Sequence, residues 1–233
     1  MPYQPVWHFL FPPVNEQIPY INIHTHHSAE EGEIAIVNTA PENAAAAKGF
    51  ISAGIHPWHI GSSNIEEALE LLRKAASLTH VLAIGECGLD KLKDTPMEVQ
   101  ESIFIEQIRI AEAVSKPLIV HCVKAFEQLL RIKRSENTTQ PFIIHGYNNN
   151  EQIAAQLQQH GMYLSFGKAL LAEGSNAQRV LKNTAAERFF LETDDAAVPI
   201  KSIFEKAAGL RNISVEELRR QMMFNFKRVF NHE

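Results

Sequence analysis

The sequence predicts an α/β fold, a slightly truncated (β/α)8 TIM barrel, on three observations. Short apolar runs rich in Ile, Val, Leu and Phe recur with little polar alternation, as strands buried on both faces of a parallel sheet do. Helical spacing of apolar residues separates the later runs. Metal-competent polar residues sit where the runs end, and a barrel gathers its strand ends into one mouth. An open doubly wound sheet shares the first two signals; the third favours the barrel.

The runs are Tyr20–Ile23, Ile34–Val37, Phe50–Ile55, Val81–Ile84, Leu118–Val120, Phe142–Ile144, Met162–Phe166 and Phe189–Leu191. Only His26–Glu33 separates the first two, and a helical crossover needs roughly ten to twelve residues. The first crossover helix is therefore expected to be missing, and the second, around Pro41–Lys48, to be stunted. Residues 1–19, with Trp7, Phe9, Leu10 and Phe11, are expected to form an N-terminal extension packed on the flank this leaves bare. A partner subunit is the other way to cover it. Residues 20–233 are expected to be one barrel domain, in a monomer or small homo-oligomer.

After the third run, Asn64 serves as N-cap for a helix carrying Ile65, Leu69, Leu72 and Ala76. Pro96 precedes a long amphipathic helix with Val99, Ile103, Ile105, Ile108 and Ala111. Phe126, Leu129, Leu130 and Ile132 mark another, and Ile153, Ala154 and Leu157 the next. Val180 and Leu181 lie in the seventh crossover, and Ser214-Val215-Glu216-Glu217 is a capping box opening a final helix to about Phe230.

Composition narrows the function classes. An apolar fraction of 45% excludes a disordered chain. A net charge of −5 argues against holding nucleic acid by bulk charge. Two cysteines make no disulfide framework, no basic leader precedes the apolar N-terminus, and no apolar stretch is long enough to span a membrane. A cytoplasmic protein with no membrane partner is expected. Eleven histidines are many for this length.

Several of these histidines end strands. The first run leads into His24-Thr25-His26, whose two imidazoles share a face by strand alternation. The third ends in Gly54-Ile55-His56-Pro57, the fourth in Gly85-Glu86-Cys87-Gly88-Leu89-Asp90, the fifth in His121-Cys122, the sixth in His145-Gly146 and the eighth in Glu192-Thr193-Asp194-Asp195. Imidazole and carboxylate together suit zinc-like divalent ions. Cys87 and Cys122 follow ligand candidates directly and should face the helix layer as packing residues, and His27 should likewise face away. Trp58 reads as a rim cap, with stacking on a substrate base as the alternative. Lys91, Lys93, Lys124 and Lys168 near strand ends are either phosphate partners or a solvated mixed-charge surface.

These segments, with Asn22-Ile23 before His24 and the terminal Asn225-Phe226-Lys227-Arg228-Val229-Phe230, resemble in order the TatD family of metal-dependent hydrolases, among the amidohydrolase-like barrels. Gly-Glu-Cys-Gly-Leu-Asp and Glu-Thr-Asp are the most specific pieces. The resemblance implies a centre of two divalent ions (Zn, Mn or Mg). His24, His26 and Asp194 would hold one and His121 and His145 the other, with Glu86 bridging. Two adjacent cations make hydroxide available near neutral pH and stabilise charge developing on a phosphoryl or carbonyl oxygen. The family implies a deoxyribonuclease cleaving DNA or another phosphodiester with a metal-bound hydroxide, Asp194 accepting the proton and Glu86 sharing the catalytic centre. His56 and Lys124 would contact substrate.

The chain departs from the family pattern in places. Asn22 stands where Asp is usual and, two residues before His24, should share its face. Val123 stands where members commonly carry a phosphate-gripping Arg, and the long loop after the Glu-Thr-Asp segment is absent. A hydrolase of a small ester, amide or lactone is therefore the alternative, and a catalytically impaired binding protein a third.

Overall fold

The computed structural model describes residues 18–61 and 64–230. The expected packing of the N-terminal extension falls on residues outside this range, apart from Ile18, which is buried, and Pro19, which is half-buried. Eight parallel strands follow the chain in register order: β1 (Tyr20–Thr25), β2 (Glu33–Thr39), β3 (Phe50–Ala53), β4 (Val81–Asp90), β5 (Leu118–Val123), β6 (Phe142–Ile144), β7 (Tyr163–Phe166) and β8 (Phe189–Leu191). Each expected apolar run lies on a strand.

The sheet closes at its mouth. Thr25 and Asp194 form a parallel bridge, His26 N–H donates to Asp194 O at 3.0 Å, and Asp194 N–H donates to His24 O at 3.0 Å. The seam thus runs through residues that carry imidazole and carboxylate. Closure also removes the exposed edges an open sheet would leave.

The flank between β1 and β2 has no helix, and the next crossover holds only a 3-10 turn, Pro41–Ala46, as the short spacing requires. Among the described residues seven α-helices follow: α1 (Ile65–Ala76), α2 (Met97–Val114), α3 (Phe126–Glu136), α4 (Glu151–Gln159), α5 (Asn176–Asn183), α6 (Ile200–Arg211) and α7 (Val215–Phe230). Asn64 caps α1 by accepting the Glu67 N–H, and Ser214 and Glu217 exchange the bonds of a capping box at α7. α6 lies outside the expected helices. It buries Ile200, Ile203, Phe204, Ala207 and Ala208.

The buried face of α2 differs from expectation in an instructive way. Val99 is exposed, while Gln100 and Gln107 are buried among the apolar residues. The two glutamines lie two turns apart on one face. Gln107 accepts from Ile55 N–H at 2.7 Å and donates to Ile55 O at 3.0 Å. Gln100 accepts from Asp90 N–H at 2.8 Å and donates to Asp90 O at 3.0 Å. The helix therefore splints the ends of two strands just where His56 and Asp90 begin the mouth.

Candidate metal centre

Two irregularities aim the first ligand candidates. The β1–β2 register sets Asn22 against Ala35 but Thr25 against Val37, so β1 carries an extra residue. The bulge resets the alternation. Asn22 consequently does not share the face of His24: it donates to Glu33 Oε1 at 2.6 Å and Thr193 Oγ1 at 2.9 Å, and accepts from Thr193 N–H at 3.1 Å. It ties the seam and leaves the mouth to the imidazoles. A second shift, between Ile84 and Cys87, lies on β4 around Glu86. Asn38 on β2 holds the Glu86 backbone by accepting its N–H at 2.7 Å.

Gly88 lets β4 lie against β5. A Cβ there would stand 2.0 Å from the His121 carbonyl oxygen, and its φ of +140° disfavours a side chain. Asp194 has a φ of +55°, a left-handed conformation that Asp tolerates better than most residues. With it the chain turns out of β8 and leaves the carboxylate on the cavity wall.

Glu86 is buried at the centre, and its two oxygens face different imidazoles. Oε1 lies 2.8 Å from His145 Nε2, 2.9 Å from His121 Nδ1 and 3.0 Å from His56 Nε2. Oε2 lies 3.4 Å from His24 Nε2 and 3.6 Å from His26 Nε2. Asp194 Oδ1 is 3.5 Å from both His24 and His26. All six residues expected as ligands therefore meet in one cluster, and His56 joins them. Three overlapping triplets have donor atoms close enough to share an ion: His24, His26 and Glu86; His24, His145 and Asp194; and His56, Glu86 and His121.

Outer carboxylates orient two of the rings. His121 Nε2 is 3.3 Å from Asp90 Oδ2, which turns Nδ1 to Glu86. His145 Nδ1 is 3.5 Å from Glu192 Oε1, which turns Nε2 to Glu86, while Glu192 also accepts the Gly146 N–H. Such carboxylate–histidine pairs set the tautomer and raise ligand basicity. Asp90, Glu192, Asn38, Gln100 and Gln107 are not singled out by the sequence pattern. The signal available was that Glu192 stands two residues before Asp194 on an inward-facing strand end.

His56 differs from the other rings. Its Nδ1 accepts the Trp58 N–H at 3.1 Å, so the neutral ring carries its proton on Nε2 and donates it to Glu86. Burial pushes its pKa down, against the pull of Glu86. The remaining shifts reflect a dense mix of opposite charges. Burial raises Glu86 and Asp194, but hydrogen bonds outweigh it and hold both carboxyls well below the usual range: His121, His145, His24 and His26 act on Glu86, and His24 and His26 on Asp194. Hydrogen bonds to Asp194 and then Glu86 raise His26 to about 9. Burial disfavours charge on His24 and His145, yet both are raised, His24 by Asp194 and Glu86, His145 by Glu192 and Glu86.

The donor set fits divalent ions. His24 is fully buried; its Nε2 has only long contacts, 3.4 Å to Glu86 and 3.5 Å to Asp194, and its Nδ1 and Glu192 Oε2 have no hydrogen-bond partner. An unpaired buried polar group costs about 1–3 kcal/mol, and coordination of His24 would satisfy its inward nitrogen. The donors are nitrogen and oxygen alone. Cys87 points at the Ile84 and Ile119 carbonyls, and neither Cys87 nor Cys122 stands among the clustered donors.

Above the cluster lies a cavity of about 410 Å³ lined by His26, His56, Trp58, His59, Glu86, His121, His145, Asp194 and Asp195, with Asn38, Thr39, Ala40 and Gly54. No Lys or Arg is among these lining residues. Lys124 is exposed beyond β5 with φ +53°, outside the lining. Lys168 pairs with Asp195 at 2.5 Å, and His27 faces the Asp195 carbonyl away from the cluster.

The chain as a whole has known relatives. A model of the family described as TatD related DNase matches residues 20–231. The chain belongs to the TatD family. The 3'-5' ssDNA/RNA exonuclease TatD of Cronobacter turicensis is 35% identical over 166 residues, which cover 69% of this chain and 62% of that protein. The match thus spans under two thirds of the exonuclease's length. The uncharacterized metal-dependent hydrolase YcfH of Escherichia coli K12 is 31% identical over 197 residues, 77% of this chain and 73% of that one. The crystal structure of YjjV, a TatD homologue from E. coli, superposes with a TM-score of 0.83 at 22% identity, covering 94% of this chain and all of that one, and establishes the shared barrel. No helix among the described residues is long and apolar enough to cross a membrane.

Proposed function

We propose that this chain is a metal-dependent hydrolase that cleaves phosphodiester bonds in nucleic acid, DNA first among its substrates. The observation that carries the reading is the division of the cluster by Glu86: one carboxylate oxygen faces His24 and His26, the other His121 and His145. In this reading His24, His26 and Asp194 hold one divalent ion, His121 and His145 a second, and Glu86 serves both. Bound ions would lower the pKa of a shared water and offset charge on the phosphoryl oxygens. The exonuclease relative supports a nucleic-acid substrate.

The chain's own groups supply the rest. Asp194, with its side chain 28% exposed on the cavity wall, receives the proton of the attacking water. Asp90 and Glu192 keep the ring nitrogens of His121 and His145 turned inward. His56 donates to Glu86 and faces the cavity, where it meets substrate. A second reading, a small ester or lactone as substrate, is favoured by the lack of Lys and Arg in the lining and by Val123.

Single-stranded oligonucleotides, activated esters and lactones incubated with the Mg²⁺-, Mn²⁺- or Zn²⁺-loaded protein separate the two readings. The first expects oligonucleotide cleavage that falls about 10²–10⁴-fold in Asp194→Ala. Intact nucleic acid with ester or lactone turnover establishes the second. Cleavage that survives Asp194→Ala refutes the role given to that carboxylate.

A further inference from the structure

Trp58 is a large apolar side chain left 55% exposed, and it lines the cavity over the cluster. It is held in place. Its indole Nε1–H donates to Asp90 Oδ2 at 2.7 Å, its backbone N–H donates to His56 Nδ1, and the His56 ring meets the indole edge-to-face at 5.0 Å. The Lys93 ammonium stands 3.9 Å from the ring centroid, and the Lys93 backbone N–H donates to the same Asp90, at its carbonyl. Asp90 therefore anchors an aromatic platform and a cation side by side, while the lining below offers acids and imidazoles without Lys or Arg.

We infer that Trp58 and Lys93 read the substrate strand: the indole stacks on a nucleobase and the ammonium pairs with the adjoining phosphate. The inference rests on the nucleic-acid hydrolase reading above. Stacking on an aromatic ring tolerates every base because each has a π-face. A ring already fixed by its own hydrogen bond, on a backbone held by a second, loses little freedom on binding. The ammonium over the ring is a modest cation–π contact that a phosphate can replace. Bases inside a duplex are stacked on their neighbours and cannot reach the platform, so it selects unpaired strands. Lys93 would supply on this wall part of the charge that Val123 does not.

Trp58 and Trp7 are the two tryptophans, so Trp7→Phe leaves Trp58 as the sole reporter. In the full-length, Mn²⁺-loaded protein carrying Trp7→Phe and Asp194→Asn, a thymidine pentanucleotide should quench the fluorescence. An abasic pentamer should bind roughly five- to hundredfold more weakly. In the otherwise wild-type loaded enzyme, Trp58→Ala should raise KM for a single-stranded oligonucleotide by a similar factor and shrink its preference over duplex. Trp58→Phe, which keeps the ring and loses the N–H, should restore most of KM. Lys93→Met should flatten the salt dependence of KM. Equal affinity for the pentanucleotide and its abasic counterpart overturns the inference. So does an unchanged KM in Trp58→Ala, with the hydrolase reading left standing. A wild-type protein that cleaves no nucleic acid but hydrolyses esters overturns the hydrolase reading itself.

Discussion

Asp90→Asn tests whether an outer carboxylate controls the centre. Asp90 is buried and accepts three N–H groups: Trp58 Nε1 and His121 Nε2 on Oδ2, and the Leu92 backbone on Oδ1. Asparagine offers one acceptor oxygen and one NH2. If the NH2 replaces Oδ1 it faces the Leu92 N–H; if it replaces Oδ2 it faces two donors. The second arrangement is relieved for His121 only if the ring moves its proton to Nδ1, the nitrogen turned to Glu86. Either way one part-buried donor loses its partner, at about 1 kcal/mol, or His121 loses the lone pair that faces the cluster. Loss of such an outer partner typically lowers metal affinity about 10–100-fold, equivalent to roughly 1.4–2.8 kcal/mol. Calorimetric titration of metal-free wild type and Asp90→Asn with Mn²⁺ and Zn²⁺ reads this directly. Circular dichroism checks that the barrel is intact. One binding event, that of the ion held by His121 and His145, should shift by that factor while the other changes little. Unchanged affinity for every ion in a folded variant refutes the reasoning.

Other perturbations follow from the same geometry. Gly88→Ala places a methyl group 2.0 Å from the His121 carbonyl oxygen, so β4 and β5 must part; a loss of about 3 kcal/mol or more is expected in urea unfolding, with weaker metal binding. Gln107→Leu leaves the Ile55 N–H and C=O without their partner inside the barrel wall, which should cost about 2–4 kcal/mol in the same assay; a change under 0.5 kcal/mol would mean that other groups satisfy them. Metal binding should be pH-linked, because His26 is raised to about 9 by Asp194 and Glu86 and holds a proton at pH 7 that an ion must displace. Apparent affinity should therefore rise by up to about tenfold per unit for that proton between pH 7 and 9 and level off above; titrations in buffers of different ionisation enthalpy should show proton release at pH 7. For the metal-free protein the sign is opposite. The stabilisation from protonated His26 is complete below pH 6.5 and is lost as pH rises through about 9, so the apoprotein should soften in a window where metal binding strengthens.

Sequence patterns revealed much of the architecture. Each apolar run became a strand because a strand covered on both faces leaves no position for polar residues, as Val81–Ile84 illustrates. The missing first helix followed from the short His26–Glu33 connection alone. The metal-competent residues were visible because a barrel places every strand's C-terminal end at one mouth. Less was visible where a side chain's role depends on a partner distant in sequence. Gln100 and Gln107 look like polar breaks in an amphipathic helix until Asp90 and Ile55 are set against them. α6 escaped notice although Ile200, Ile203, Phe204 and Ala207 keep helical spacing after Pro199.

By itself the sequence determined the barrel and the six residues at its mouth, because burial patterning and strand-end placement are local properties of the chain. Only the tertiary structure decided which atoms face one another. The bulge at Asn22–Thr25 sent Asn22 to the seam and His24 to the cluster, reversing the simple alternation. The two oxygens of Glu86 were divided between imidazoles from four other strand ends. Asp90 became the anchor of His121, Trp58 and Leu92 together, with Lys93 held on its carbonyl. Register shifts and long-range hydrogen bonds exist only once strands are paired, and pairing is a property of the closed sheet.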